Sequence, residues 1–121
     1  MKYAAKGAKE HNGITVGILP EDDSSFANEY IDIKIPTGIG YARNVIVVRS
    51  SGAIIAIEGS TGTLTEMAHA SNENKPLIVL QDTGGVCDFV SENDFEFLDT
   101  KIADTPKSAV KMAIDIIRSK K

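Results

Sequence analysis

Apolar positions in this chain alternate between a helical and an extended period along its length. Met1, Ala4, Ala5 and Ala8 recur at the spacing of one helical face, and Asn12-Gly13 follows as a stop signal, so residues 1–11 are predicted to be a helix. Residues 14–19 read as a buried strand closed by Pro20, and residues 21–25 as a polar loop. Strict alternation over residues 31–35 predicts a strand with one wet face, near a sheet edge, followed by a turn at residues 36–40. Residues 40–51 are ambiguous. Val45 to Val48 is rich in β-branched side chains and could pair with residues 53–57 as a hairpin, whereas a helix ending at Gly52 keeps the alternation of element types and is the preferred expectation.

The second half is clearer. Residues 53–57 and 76–80 are uninterrupted apolar runs, the pattern of strands covered on both faces, and a helix is predicted between them over residues 63–72. A βαβ unit of this kind makes the two strands parallel and places the loops after their carboxyl ends on one rim, where ligands of open α/β sheets bind. Residues 81–94 are expected to form a long loop holding Thr83-Gly84-Gly85, and residues 97–103 to contain a weak last strand. Thr105-Pro106 supplies a cap and first-turn proline for a helix with Ala109, Met112, Ala113, Ile116 and Ile117 on one face. The fold class expected is α/β, with residues 14–19, 53–57 and 76–80 as parallel strands and helices on both faces.

Chemistry concentrates at one of the predicted loops. Residues 57–66 read IEGSTGTLTE, a strand end, a Gly-containing turn and a helix start near Thr63. Gly59 and Gly62 let the backbone bend sharply and approach a ligand, and the helix N–H groups would point at an anion, so a phosphate is the expected ligand. No Lys follows the second glycine, so this is not a P-loop, and the spacing is not that of a dinucleotide fingerprint. A purely structural reading stands beside it: Thr63 and Glu66 have the T-x-x-E spacing of a capping box.

Size and charge narrow the partners. At 121 residues the chain is expected to be one domain, residues 1–121, burying roughly 65% of its unfolded surface without a metal or disulfide staple. A net charge of -4 and a sequence pI near 5.1, with a basic run only at Lys120-Lys121, argue against nucleic acid as a partner. No apolar stretch approaches the length of a membrane span and no signal-peptide core opens the chain, so a cytoplasmic protein that does not engage membrane is expected. Cys87 stands alone, and His11 and His69 are too far apart for metal-ligand spacing, so no metal site is expected. Glu21-Asp22-Asp23 could ligate a hard cation or be a solvated loop.

Three stretches, GITVGILP at residues 13–20, PTGIGYARN at residues 36–44 and EGSTGTLTEMAHA at residues 58–70, together resemble the LONELY GUY family, in particular its branch grouped with molybdenum-cofactor carrier proteins. The family motif PGGxGTxxE matches at Glu58, Gly59, Ser60, Gly62, Thr63 and Glu66, and four of these six positions agree. Glu58 replaces the proline, as is common in the carrier branch, and Ser60 replaces the second glycine, with a hydroxyl that could donate to a phosphate. The resemblance implies a Rossmann-like three-layer sandwich with a mainly parallel sheet. It also implies that the amino-terminal strand–helix–strand of the family is missing here, so that the sheet is N-terminally truncated. Phosphate or nucleotide contacts are implied at Gly38, Gly40, Gly59, Ser60, Thr61, Gly62 and Thr63, and catalytic roles at Arg43 and Glu66. Two functions follow: binding of a nucleoside 5′-monophosphate or a molybdopterin-type cofactor, or hydrolysis of the N-glycosidic bond of a nucleoside 5′-monophosphate, in which a carboxylate would stabilise oxocarbenium charge and a guanidinium hold ribose or phosphate. A third reading makes the chain a structural fragment without a ligand. The family habit of building its site at a two-fold interface implies a homodimer or higher homo-oligomer.

Overall fold

The computed structural model describes residues 1–120 and divides the chain into two compact units, Met1–Ile46 and Val47–Lys121. In the first unit, α1 (Lys2–Glu10) ends as the sequence indicates. Asn12 takes the left-handed conformation at φ 60°, and Gly13 N–H donates to Ala8 O at 2.8 Å while Asn12 N–H donates to Lys9 O at 3.2 Å. This paired closure satisfies the last carbonyls of the helix. Strands β1 (Val16–Leu19) and β2 (Ile33–Pro36) pair in parallel, Val16 opposite Ile33 and Leu19 opposite Pro36. Asp32 fixes their entry: its carboxylate accepts from Thr15 N–H at 3.0 Å and from Lys9 Nζ at 2.8 Å. Two expectations fail in this pair: β1 is not a buried strand, Val16 being exposed to 52% and no residue of it fully buried, and at β2 both faces and not one are exposed within the unit, Ile33 to 49% and Ile35 to 42%. Alternation reports which residues could be covered, not whether anything covers them.

After a 3-10 turn at Gly40–Ala42, α2 (Arg43–Arg49) follows, so the helix and not the hairpin is formed over the ambiguous stretch. β3 (Ile54–Ile57) has its parallel partner in β4 (Leu77–Leu80), which leaves no role for a Val47–Ile54 pairing.

The second unit holds a three-stranded parallel sheet in the order β3-β4-β5, with β5 at Thr100–Ala103. All four residues of β4 are buried, as its unbroken apolar run requires. Leu77 and Val79 pack with Met67 and Ala70 of α3 (Thr61–Asn72), with Cys87 and Val90 of α4 (Gly85–Ser91), and with Val48. Ile78 and Leu80 pack on the opposite face against Ala109 and Ala113 of α5 (Pro106–Ser119). This unit is therefore helix, sheet, helix, and the chain is an α/β protein in which parallel strands alternate with helices. α5 opens with a capping box, Thr105 Oγ1 accepting from Ser108 N–H at 3.1 Å and Ser108 Oγ accepting from Thr105 N–H at 3.2 Å.

Two local expectations are corrected. The loop expected over residues 81–94 contains α4, because Val86, Cys87 and Val90 present one helical face to the core and Asp88 sits in the acid-favouring first turn. Helix α3 starts two residues earlier than expected, with Ser60 as its N-cap and no side-chain cap bond. Thr63 is thus already inside the helix and Glu66 lies in its second turn, so the two cannot form the T-x-x-E cap. No helix among the described residues is long and apolar enough to cross a membrane.

Candidate functional site

The turn between β3 and α3 is built from a strained residue, a glycine and a helix start. Glu58 adopts φ 54° and Gly59 φ 84°, so two successive residues are left-handed. A side chain at Gly59 would be excluded on steric grounds as well, since a Cβ there would stand 2.1 Å from Thr63 Oγ1. The carbonyls of this turn are taken by the start of α4: Cys87 N–H donates to Glu58 O at 3.0 Å and Val86 N–H to Gly59 O at 2.9 Å. In a planar trans peptide the carbonyl and the following N–H point in opposite directions. With both carbonyls turned toward α4, the N–H groups of Gly59 and Ser60 turn away from it, and among the described residues neither has an acceptor.

The first helical bond of α3 runs from Leu64 N–H to Ser60 O at 3.0 Å, so the N–H groups of Thr61 and Thr63 precede the hydrogen-bonded part of the helix. The N–H groups of Gly59, Ser60, Thr61 and Thr63 are thus presented as donors at the carboxyl end of β3. A concave run of backbone N–H groups at a helix start suits an anion with several oxygens. Glu66, half-buried, follows on the same helix.

The facing turn, after β4, holds the first in place. Gly85 has φ 56°, and a Cβ on it would stand 2.2 Å from Gly59 O. Thr83 Oγ1 accepts from Glu58 N–H at 2.9 Å and donates to Leu80 O at 2.8 Å, while Thr83 N–H donates to Asp88 Oδ1 at 3.1 Å. Thr83, Gly85 and Asp88 carry this part of the site and were missed in the sequence, where Thr83-Gly84-Gly85 looked like an ordinary loop. The short spacing from the end of β4 to Thr-Gly-Gly was the available signal.

Cys87 is fully buried beneath these turns, and burial, reinforced by the adjacent Asp88 charge, pushes its thiol up to about 11. A group so rarely ionised is a packing residue, not a nucleophile.

The remaining candidates lie in the first unit. Gly38 and Gly40, both left-handed, form a turn strapped to the end of β1, with Gly38 N–H donating to Glu21 O at 2.9 Å and Gly40 N–H to Pro20 O at 3.0 Å. Arg43 Nη1 donates to Ile18 O at 3.0 Å, and its Nε is buried with no hydrogen-bond partner among the described residues. Gly38, Gly40 and Arg43 are therefore gathered around the carboxyl end of β1, and Gly59 to Glu66 around that of β3. The Glu21-Asp22-Asp23 run serves a turn, Asp23 accepting from Ser25 N–H at 2.8 Å, and among the described residues no cluster of metal-ligating side chains is found. A cavity of about 340 Å³ lies at the opposite edge of the sheet, at the amino ends of β4 and β5, lined by Ala70, Leu77, Phe97 and Ile116. Two of its polar neighbours are internally bonded, Ser71 Oγ to Phe97 O and Lys75 Nζ to Ser51 O.

Comparison with known proteins agrees with this architecture. An uncharacterized protein of Archaeoglobus fulgidus is 44% identical over 81 residues, 67% of this chain and 53% of the relative, so the match spans about half the relative's length. The molybdenum cofactor binding protein from the phototrophic bacterium Rippkaea orientalis superposes with a TM-score of 0.84 at 36% identity, covering 97% of this chain and 71% of that one. The Moco carrier protein from Chlamydomonas reinhardtii gives 0.76 at 32% identity, over 100% of this chain and 72% of that one. Both superpositions carry the Rossmann-like arrangement of the solved proteins onto a shorter chain. With residues 1–112 matching the family as a whole, the chain belongs to the SLOG cluster4 family.

Proposed function

We propose that this protein binds a phosphorylated, nucleotide-like ligand, either a nucleoside 5′-monophosphate or a molybdopterin-type cofactor, and holds it without cleaving it. The observation that carries this reading is the set of backbone N–H donors at Gly59, Ser60, Thr61 and Thr63. The carbonyls of Glu58 and Gly59 are turned into α4, the N–H groups of Gly59 and Ser60 have no acceptor among the described residues, and Gly59 packs so closely on Thr63 that it cannot bear a side chain. These residues fit the phosphate end of either ligand. A molybdenum cofactor would bring its metal with it as cargo, so the protein's part is to grip the phosphate. The similarity to solved proteins described as binding or carrying that cofactor supports the same reading. Arg43, whose Nε is buried with no hydrogen-bond partner among the described residues, is assigned as a further ligand contact, whereas the N–H groups of Gly38 and Gly40 are already taken by the Glu21 and Pro20 carbonyls, and the assembly is proposed to be at least a homodimer.

Hydrolysis is the alternative, with Glu66 as the carboxylate and Arg43 as the ribose or phosphate clamp. Calorimetric titration with AMP and adenosine, beside a chromatographic assay for free adenine, separates the readings. Phosphate-anchored binding predicts that AMP binds, that adenosine does not, and that no adenine appears. Equal affinity for AMP and adenosine, or none for either, overturns the proposal. Release of adenine by the wild type that Glu66→Gln abolishes would replace the carrier by a phosphoribohydrolase. Arg43→Ala should weaken AMP binding by about tenfold or more, the loss of one charge-assisted contact.

A further inference from the structure

Glu58 combines three properties that a structural residue at this position does not need. It is a non-glycine residue held at φ 54°, a conformation that any L side chain resists. Both of its backbone polar groups are fixed, N–H to Thr83 Oγ1 and O to Cys87 N–H, so its conformation is imposed by its surroundings. Its side chain is exposed and enters no ion pair or hydrogen bond among the described residues, whose ion pairs all involve other groups. A glycine would satisfy the backbone with less strain. The carboxylate is what glycine would not supply.

Its surroundings are cleared as well. The Glu58 side chain leans over the β4–α4 turn, where a Cβ on Gly84 would find only Glu58 Cγ, at 3.7 Å. The two glycines of that turn leave a surface bare of side chains beside a carboxylate, one residue ahead of the phosphate-binding turn. A negative charge next to an anion site is unfavourable for the anion itself. It is favourable for the other end of a ligand that brings hydrogen-bond donors.

We propose that Glu58 is a specificity-determining residue that accepts a pair of hydrogen bonds from the N–H and amino group of a 2-amino-4-oxopyrimidine edge, the edge shared by guanine and pterin rings. This rests on the phosphate-anchored binding proposed above. Guanine offers N1–H and its 2-amino group, and a pterin offers N3–H and its 2-amino group, in the side-by-side spacing that a carboxylate accepts with two oxygens. Hypoxanthine keeps the N–H and lacks the amino group. Adenine turns an unprotonated ring nitrogen toward the carboxylate and is repelled. The same residue would thus recognise a guanine nucleotide and the ring of a molybdopterin-type cofactor by one chemistry.

The experiment is calorimetric titration of the full chain with GMP, IMP and AMP, repeated on Glu58→Gln and Glu58→Gly, with thermal unfolding of all three proteins. For the wild type, GMP should bind about 10- to 100-fold more tightly than AMP, with IMP between them. Glu58→Gln should shrink the GMP-to-AMP ratio to about threefold or less, the fraction left to a neutral acceptor. Glu58→Gly should lose the preference while its melting temperature rises, because the left-handed strain is relieved. A rise in stability without change in preference would make Glu58 a structural residue and overturn the inference. So would equal binding of GMP and AMP by the wild type, which leaves phosphate anchoring intact. Failure of all three nucleotides to bind overturns phosphate anchoring itself.

Discussion

Gly85 is constrained by a neighbour remote in sequence: its missing Cβ leaves room for the Gly59 carbonyl, which would otherwise stand 2.2 Å away. Gly85→Ala must push the two turns apart and break the Val86 and Cys87 bonds to the first turn, and it should cost about 2–4 kcal/mol by denaturant unfolding. Gly7 is the matched control. It lies within α1 with nothing in reach of an added Cβ, so Gly7→Ala should stabilise by about 0.5–1 kcal/mol. The sequence marked Gly59 as a turn glycine because it follows a strand and precedes a helix, whereas Gly62, marked with it, lies inside α3 because the helix starts at Thr61. It could not mark Gly85 or Thr83, whose work depends on how closely two loops approach. Cys87 yields a further test. With its thiol pushed up to about 11, roughly a thousandth is thiolate at pH 8, and labelling by a disulfide reagent should be slow in the native protein and fast in denaturant.

Elements were legible wherever a single periodicity ruled. The β3–α3–β4 unit could be read because two fully apolar runs flank a helical stretch, and α5 because Thr105-Pro106 marks its start. Residues 45–48 were ambiguous because β-branched side chains favour strands, and the helix wins through tertiary context: Val48 is fully buried among α3, α4 and β4 residues. α4 was hidden by its brevity, its seven residues giving too few turns for a period to show. Thr105→Ala removes a cap that both partners use and should cost about 1 kcal/mol in thermal or chemical unfolding. The join of α1 to β1 is electrostatic. Lys9 first, and the Thr15 N–H next, hold the Asp32 carboxyl below its ordinary value of 3.8. A carboxyl depressed in the folded state stabilises above its unfolded value, and that contribution fades as pH falls through the lower folded value. Asp32→Asn should therefore flatten the acid limb of the stability profile below about pH 4 while lowering stability at neutral pH.

At the scale of the whole molecule the first unit leaves apolar surface open. Val16 is 52%, Ile33 49% and Ile35 42% exposed, and Ile14, just ahead of β1, is exposed to 78%. These side chains lie on or just ahead of a parallel pair of only two strands, an arrangement too small to be stable without cover, and both strands are edge strands of that sheet. A second copy of the chain can cover both features, by packing apolar residues and by adding strands to the edge, and charge does not oppose it at a net -4 spread over 121 residues. Light scattering at ~100 µM, far above a ~1 µM dissociation constant, should give a mass of at least twice the 13.0 kDa chain. Replacing Ile33 and Ile35 together by Lys places charges on that surface and should return the mass toward 13.0 kDa without disturbing the core of the second unit, whose buried residues lie elsewhere. A single species of 13.0 kDa for the unmodified chain would show that this surface stays uncovered. An oligomer unchanged by the double substitution would place the interface on another face.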